Sequence, residues 1–502
     1  MNTISFQTDF RPFLPTVFGS KDYHEFRDRL EQMDRILLFS GLEHAFVARY
    51  ASEHFPDLSP ARVQRQMRKA RTAVRYCILH SLTGLSVREL SIRVADSHLF
   101  QWFVSAAQID AIHPASKSTV DRYEKMFEAE KVERLVHDLN RAMQDENTIS
   151  DLLYQEAVLR FDRIFADSTC VKADIHFPVD WVLLRDAVRT LILAIELIRD
   201  QRLKHRMPPP RQFVTQINKM CMQMTHSRRK KDGTRQRKKI FRGMKKLAGT
   251  VRKHAERYAV LLRNEWETTE WTEVEAGIVI GRIEGILDQL PSAIRQAHER
   301  IIGGRRVKNS DKILSLYDSN VHVLVRGKAG AEVEFGNGLY LAEQENGLIA
   351  DWDFMKGQPT ADSKIVSQSI ERLTDNHGKP ESFTGDRGFH SAKNCMDLEN
   401  LDIFNAICPK SVAELQSRME NNQFTRLQKR RALTEARIGI FKNAYTVNPL
   451  KSKNFEHKKK KIAWAVLTHN LWKLADMAID NREKMADSVD NPARGKAPPK
   501  AA

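Results

Sequence analysis

The chain has 502 residues, with 81 Lys and Arg against 64 Asp and Glu, so its formal net charge is +17 and its pI is near 9.6. Hydrophobic residues at 41% exclude a wholly disordered chain, and a mean hydropathy of −0.49 excludes a polytopic membrane protein. The longest apolar stretch, around 191–198, is broken by Glu196 and falls short of the ~20 residues needed to span a bilayer.

Length predicts about three domains. The first twenty residues have no basic cluster followed by an apolar run, so no secretory signal is expected. Cys77, Cys170, Cys221, Cys395 and Cys408 are scattered and odd in number, without a Cys-x-x-Cys pair. They predict small buried hydrophobes in a reducing compartment, not disulfides or a zinc site.

The first ~150 residues read as helical. Ser59-Pro60 has N-cap and first-turn chemistry for a helix running to about Leu82, which Gly84 is placed to end. Between Leu58 and His80 lie Arg62, Arg65, Arg68, Lys69, Arg71 and Arg75, with no acid. Ser86-Val-Arg-Glu89 is a capping box opening a short helix through about Val94, and another helix starts near Ser116. Short helices with tight capped joints suit a helix-turn-helix reader.

From Phe161 to Thr169 a β-prone run ends in an acid and two hydroxyl residues, and it predicts a strand. Residues 181–302 return to helix, punctuated by Pro208-Pro209-Pro210, Gly233 and Pro291 and closed by Gly303-Gly304. Between His226 and Tyr258 there are fourteen Lys and Arg and only two acids, Asp232 and Glu256. This stretch and the 58–80 stretch hold essentially all the net charge. Two acid-poor basic segments on a near-neutral body point to a polyanion partner.

Strand patterns resume at Val321–Val325. Runs 338–345 and 348–354 flank Asn346-Gly347, a strong hairpin signal. A helix follows over 362–373, then a short strand into Gly385-Asp386, a helix near 391–400, a strand over 403–407, and helices near 423–442 and 462–478. The remainder, 481–502, predicts a disordered tail. With the helical block set aside, this order predicts an α/β fold: a ribonuclease-H-like mixed sheet flanked by helices.

Three acids stand out for chemistry: Asp167 at the end of the first strand, Asp386 after a later strand, and Glu435 in the 423–442 helix. At ~100° per residue, Gln428, Arg431, Glu435, Gly439 and Lys442 fall within about 40° of one direction. Leu427, Ile438 and Phe441 cluster to one side, ready for burial. A carboxylate between an arginine and a lysine suits phosphodiester chemistry, where carboxylates hold divalent cations and basic groups hold phosphates. Taken singly, each acid is equally explained as a turn former, a helix cap or an exposed ion pair. Asp162, Asp174, Asp351 and Asp353 are rivals that periodicity does not eliminate.

These segments resemble the DDE transposases of bacterial insertion sequences, in the branch with a Tyr-Arg-Glu-Lys signature, over roughly residues 60–480. The resemblance is carried by Ala166-Asp167-Ser168-Thr169, by 326–336 (Arg-Gly-Lys-Ala-Gly-Ala-Glu-Val-Glu-Phe-Gly), by Gly385-Asp386-Arg387-Gly388-Phe389, and by Arg431, Glu435 and Lys442 at spacings of three and then six intervening residues. It implies a catalytic and metal-binding triad of Asp167, Asp386 and Glu435 holding two Mg²⁺, with Mn²⁺ able to substitute. It also implies an N-terminal region that recognises terminal inverted repeats. Two departures stand out: Gln428 occupies the signature tyrosine position, and only 48 residues separate Asp386 from Glu435. A helical block of about 130 residues instead follows the first strand.

The expected organisation is an N-terminal all-α, helix-turn-helix-like DNA-binding region over 1–150, a catalytic domain over 151–176 and 305–480, a basic helical insertion over 177–304, and the tail. DNA contacts are expected from Gln428, Arg431 and Lys442, from Arg387 and Lys328, and from Arg228, Arg229, Lys230, Lys231, Lys238 and Lys239. The expected function is metal-dependent cleavage and strand transfer of double-stranded DNA in transposition. The protein would act as a homodimer on paired ends in a bacterial cytoplasm, associated with the nucleoid and with no membrane partner. The alternatives are a non-catalytic DNA-binding regulator derived from a transposase, and a structure-selective nuclease of the same fold.

Overall fold

The computed structural model describes residues 13–106, 111–227, 231–328 and 331–490. It is mixed α/β and 66% helical, with a multi-strand sheet flanked by helices. The strands are β1 (Arg163–Lys172), β2 (His322–Lys328), β3 (Ala331–Gln344), β4 (Ile349–Phe354), β5 (Ser382–Gly385) and β6 (Phe404–Ile407). The described residues divide into two compact units, one within Met1–Val171, Gly338–Met355 and Thr360–Ala502, the other within Lys172–Asn337 and Lys356–Pro359.

In the first unit the strands lie in the order β4-β3-β1-β5-β6. β3 and β4 are antiparallel, joined at the expected Asn346-Gly347 turn, where Gly347 takes a φ of +95°. β5 runs parallel to both β1 and β6. The helices of the first 150 residues share one apolar core with this sheet and with the long helix Phe455–Asp490. That helix is buried nearly all round from Ile462 to Leu471, so it can serve the sheet and the N-terminal helices together. Asn140 and Asn470 both donate to the β4 carbonyl of Ile349, at 3.0 and 2.9 Å.

Local sequence chemistry fixes the helix ends. Pro60–Thr83 starts on Pro60 and stops at Gly84, whose φ is +62°. Ser86 and Glu89 form the capping box of Val87–Asp96, and Ser116 caps Lys117–Met126. Two of the six basic residues in this stretch are internal. Arg75 is 1% exposed and makes a bidentate bond to Glu43 at 2.8 and 3.0 Å. It also reaches Asp34, and Arg71 lies 3.6 Å from Glu43. Arg62, Arg65 and Lys69 instead line a surface cavity with Leu58 and Gln66.

The second unit holds four helices, Asp180–Asp200, Pro210–Ser227, Gly233–Glu265 and Glu273–Ile301, around their own apolar core. It also contains β2 paired antiparallel with the first half of β3.

Several boundaries differ from expectation. Pro291 lies inside Glu273–Ile301 and does not end it, because Ile283, Ile286, Leu290, Ala293 and Ala297 seat that helix in the core on both sides of the proline. β1 continues through Lys172, its β-branched Thr169 and Val171 prolonging the strand, so Asp167 is mid-strand and not terminal. A helix not anticipated, Val412–Met419, follows β6. The segment expected as a disordered tail is helical as far as Asp490; 491–502 lie outside the described residues. No helix among the described residues is long and apolar enough to cross a membrane.

Candidate active site

The register of the parallel pair β1 and β5 builds the site. Arg163, Ile164 and Phe165 face Ser382, Phe383 and Thr384. Continued by two residues, this register brings Asp167 level with Asp386 on neighbouring strands. Side chains alternate across a strand, so Phe165, Asp167 and Thr169 project from one face. β5 ends at Gly385, and Asp386 then caps the short turn Arg387–Phe389, its Oδ1 accepting from the Gly388 N–H at 2.7 Å. A Cβ at Gly388 would lie 2.7 Å from Asp362 Oδ2 and 2.9 Å from Asp386 Oδ1. A side chain there would have to displace these carboxylates, and Asp362, which was not anticipated, brings a further carboxylate beside Asp386.

The helix Asn422–Ile440 covers the same strand ends. Asn421 caps it, and Phe424 and Leu427 pack with Phe165 and Ala406. Gln428 Nε2 donates to the carbonyls of Gly385 at 3.2 Å and Ala406 at 2.6 Å, at the C-terminal ends of β5 and β6. Its Oε1 accepts from Arg431 Nε at 3.3 Å. Arg431 Nη1 meets Glu435 Oε1 at 3.5 Å, and the Glu435 side chain is 58% exposed. The helix then widens into a π-turn, Phe441–Tyr445, from which Lys442 Nζ donates to Thr169 Oγ1 on β1 at 3.0 Å. Leu427, Ile438 and Phe441 are buried, as their clustering predicts.

A second anchor was missed in the sequence. Glu343, 4% exposed on β3, accepts from Arg430 at 3.0 Å, Thr434 at 2.8 Å and Arg437 at 3.3 Å, all on this helix. Arg430 also lies over the Phe165 ring, 4.5 Å from its centroid. The only signal for it was an acid directly after the apolar run Leu339–Ala342.

Burial pushes the Asp167 carboxyl up to about 6; the Ser168 N–H opposes this, the negative charges of Asp386 and Glu435 add to it, and Arg431 offsets part of it. An Asp167 value above the ordinary 3.8 means that the charged form penalises folding. The penalty is absent below pH 4, grows from pH 4 to 6 and is complete above 6. Asp167→Asn keeps the Oδ1 acceptor for Ser168. It is expected to stabilise the protein at pH 7.5 by on the order of 2 kcal/mol and to leave it unchanged at pH 4, as urea titrations at the two pH values would show. Equal stability at pH 7.5 would disprove the penalty that burial and the neighbouring charges place on the charged form.

The structure thus brings Asp167, Asp386, Glu435, Gln428, Arg431 and Lys442 into one region of the first unit. Among the described residues, no three His, Cys, Asp or Glu side chains are drawn together closely enough to hold one metal ion. Arg387 is exposed on the turn after Asp386. The rival Asp351 is a structural group, held bidentately by Arg372 at 2.8 Å and by Ser369 at 2.7 Å. In the second unit Lys231 and Lys239 are exposed and Lys238 is half-buried. The Lys328 side chain and all of Arg228, Arg229 and Lys230 lie outside the described residues.

No protein-family model matches the chain, and no curated protein or solved structure matches it.

Proposed function

We propose that the chain is a DDE transposase with a ribonuclease-H-like catalytic core. The observation that carries the reading is that Asp167 on β1 lies level with Asp386, which directly follows the adjacent parallel strand β5, under a helix that presents Arg431 and Glu435. The order β4-β3-β1-β5-β6, with its antiparallel hairpin and parallel neighbours, supports the fold. The donor set suits a hard divalent cation, because Asp167, Asp386 and Glu435 offer only carboxylate oxygens, and the charged form of Asp167 is disfavoured by burial and, to a lesser extent, by its like-charged neighbours. These three residues would hold Mg²⁺ or Mn²⁺, which supplies activation of the attacking oxygen and stabilisation of the leaving one.

The remaining work belongs to the protein's own groups. Arg431, braced by Gln428, and Lys442, braced on Thr169, present positive charge to the phosphates flanking the scissile bond. Gln428, in place of a signature tyrosine, acts through the strand ends and Arg431. Arg387 extends this basic rim. Water attack frees a 3′-OH, which then attacks target DNA. The N-terminal helices, with Arg62, Arg65 and Lys69 facing solvent, and the 228–239 basic cluster would bind element ends, in a homodimer on paired ends.

Incubation of the purified protein with its flanking DNA ends and target DNA tests this. In Mg²⁺ it is expected to cut at the ends and join the 3′-OH to target, and in EDTA to bind without cutting. Binding with no cleavage in either would overturn the reading in favour of a regulator, and cleavage without joining would favour a nuclease.

A further inference from the structure

In the second unit, the helix Gly233–Glu265 is 33 residues long and buries Phe241, Met244, Ala248, Val251, Ala255, Tyr258 and Leu262 along one side. On the opposite side Arg235, Lys239, Arg242, Lys246, Lys253 and Arg257 are all exposed. At ~100° per residue these six fall within about 40° of a single direction, in a line of roughly 33 Å. Arg257 meets the His205 ring at 3.1 Å. No carboxylate pairs with any of the other five among the described residues.

The same bundle pairs its charges elsewhere: Arg252 with Glu256 at 2.8 Å, Arg185 with Asp186 at 2.9 Å, and Arg263 with Glu284. The line also sets like charges four residues apart, at 235 and 239, 242 and 246, and 253 and 257, an arrangement that destabilises a helix in water. Gly249 lies near the middle of the line with nothing within 4 Å of the position of a Cβ, so a backbone can approach closely there.

We infer that this face is a binding rail for the sugar-phosphate backbone of duplex DNA. It lies on one continuous helix packed along its opposite side, and it is about as long as one turn of B-form DNA. It presents only donors suited to phosphate, so its binding is independent of sequence. The inference rests on the proposed DNA-acting function for its partner, and it assigns that partner a surface the catalytic residues do not supply.

The test uses the full-length protein in EDTA with a 30-base-pair duplex of arbitrary sequence, with affinity followed by anisotropy from 50 to 300 mM KCl. Combining Arg242→Gln, Lys246→Gln and Lys253→Gln is expected to flatten the slope of log affinity against log salt by about 3 and to weaken binding at least ~10-fold at the lowest salt. A second set, Arg235→Gln with Lys239→Gln, should flatten it by about 2. Replacing Arg242 by Lys and Lys246 by Arg should leave the slope as in wild type. An unchanged slope in both glutamine sets overturns the rail, as does a wild-type preference for single-stranded RNA of equal length over the duplex. Because no cleavage occurs in EDTA, a flattened slope supports the rail even if Mg²⁺-dependent cutting fails. An unchanged slope with cutting intact removes the rail alone.

Discussion

Asp386→Asn is expected to reduce Mg²⁺-dependent DNA cleavage by about 10³-fold or more while leaving the fold intact. The two effects separate because the asparagine Oδ1 still accepts from Gly388, so the turn after β5 keeps its cap, while the negative charge needed to bind a cation is gone. Removing that charge also relieves Asp167, whose carboxyl Asp386 helps to push up. Binding of the same DNA in EDTA should therefore be unchanged or tighter, since one charge that repels phosphate has been removed. Cleavage at the wild-type rate would take Asp386 out of the mechanism. Parallel loss of binding and of thermal stability would assign it a structural role instead.

Glu343→Gln should destabilise the first unit by roughly 3–5 kcal/mol, measured by urea unfolding. Glu343 is buried with Arg430 and Arg437 on it. A neutral amide leaves the guanidinium groups of Arg430 and Arg437, 11% and 28% exposed, without their shared carboxylate. Combining Glu343→Gln with Arg430→Gln should recover part of the loss of Glu343→Gln, because one uncompensated guanidinium then remains instead of two. A loss below about 1 kcal/mol for Glu343→Gln would mean that the helix carrying Glu435 is held by its apolar contacts alone.

The parts of the fold legible in the sequence were those governed by neighbouring residues. Gly84, the Ser86-Glu89 box, Ser116 and Asn346-Gly347 act within a few positions, and each marks the boundary it predicts. The spacing of Gln428, Arg431 and Glu435 likewise gave the face of their helix, because helical geometry fixes it without reference to other parts of the chain. Long-range pairings were not legible. Nothing local distinguishes Asp351 from Asp167, as both are acids in strands; Arg372 and Ser369, brought in from another helix, make the difference. Arg75 likewise counted as surface charge until Asp34 and Glu43 neutralised it in the interior. Pro291 was misread because tertiary burial on both sides of it outweighs a local helix breaker, and the change in composition after Asn481 was misread because the exposed turns there continue a helix already formed.

Gln428 ties the helix of Glu435 directly to the strand ends beside Asp386. One amide nitrogen binds the last carbonyl of β5, immediately before Asp386, and a carbonyl of β6, while the amide oxygen steadies the arginine next to Glu435. A rigid-body shift of the helix toward Asp167 would have to carry both strand ends along or break these bonds. The inexpensive route for Glu435 to approach the two aspartates is therefore rotation about its own side-chain torsions after release from Arg431. In the proposed reaction the third carboxylate would act as a swinging arm on a fixed mount.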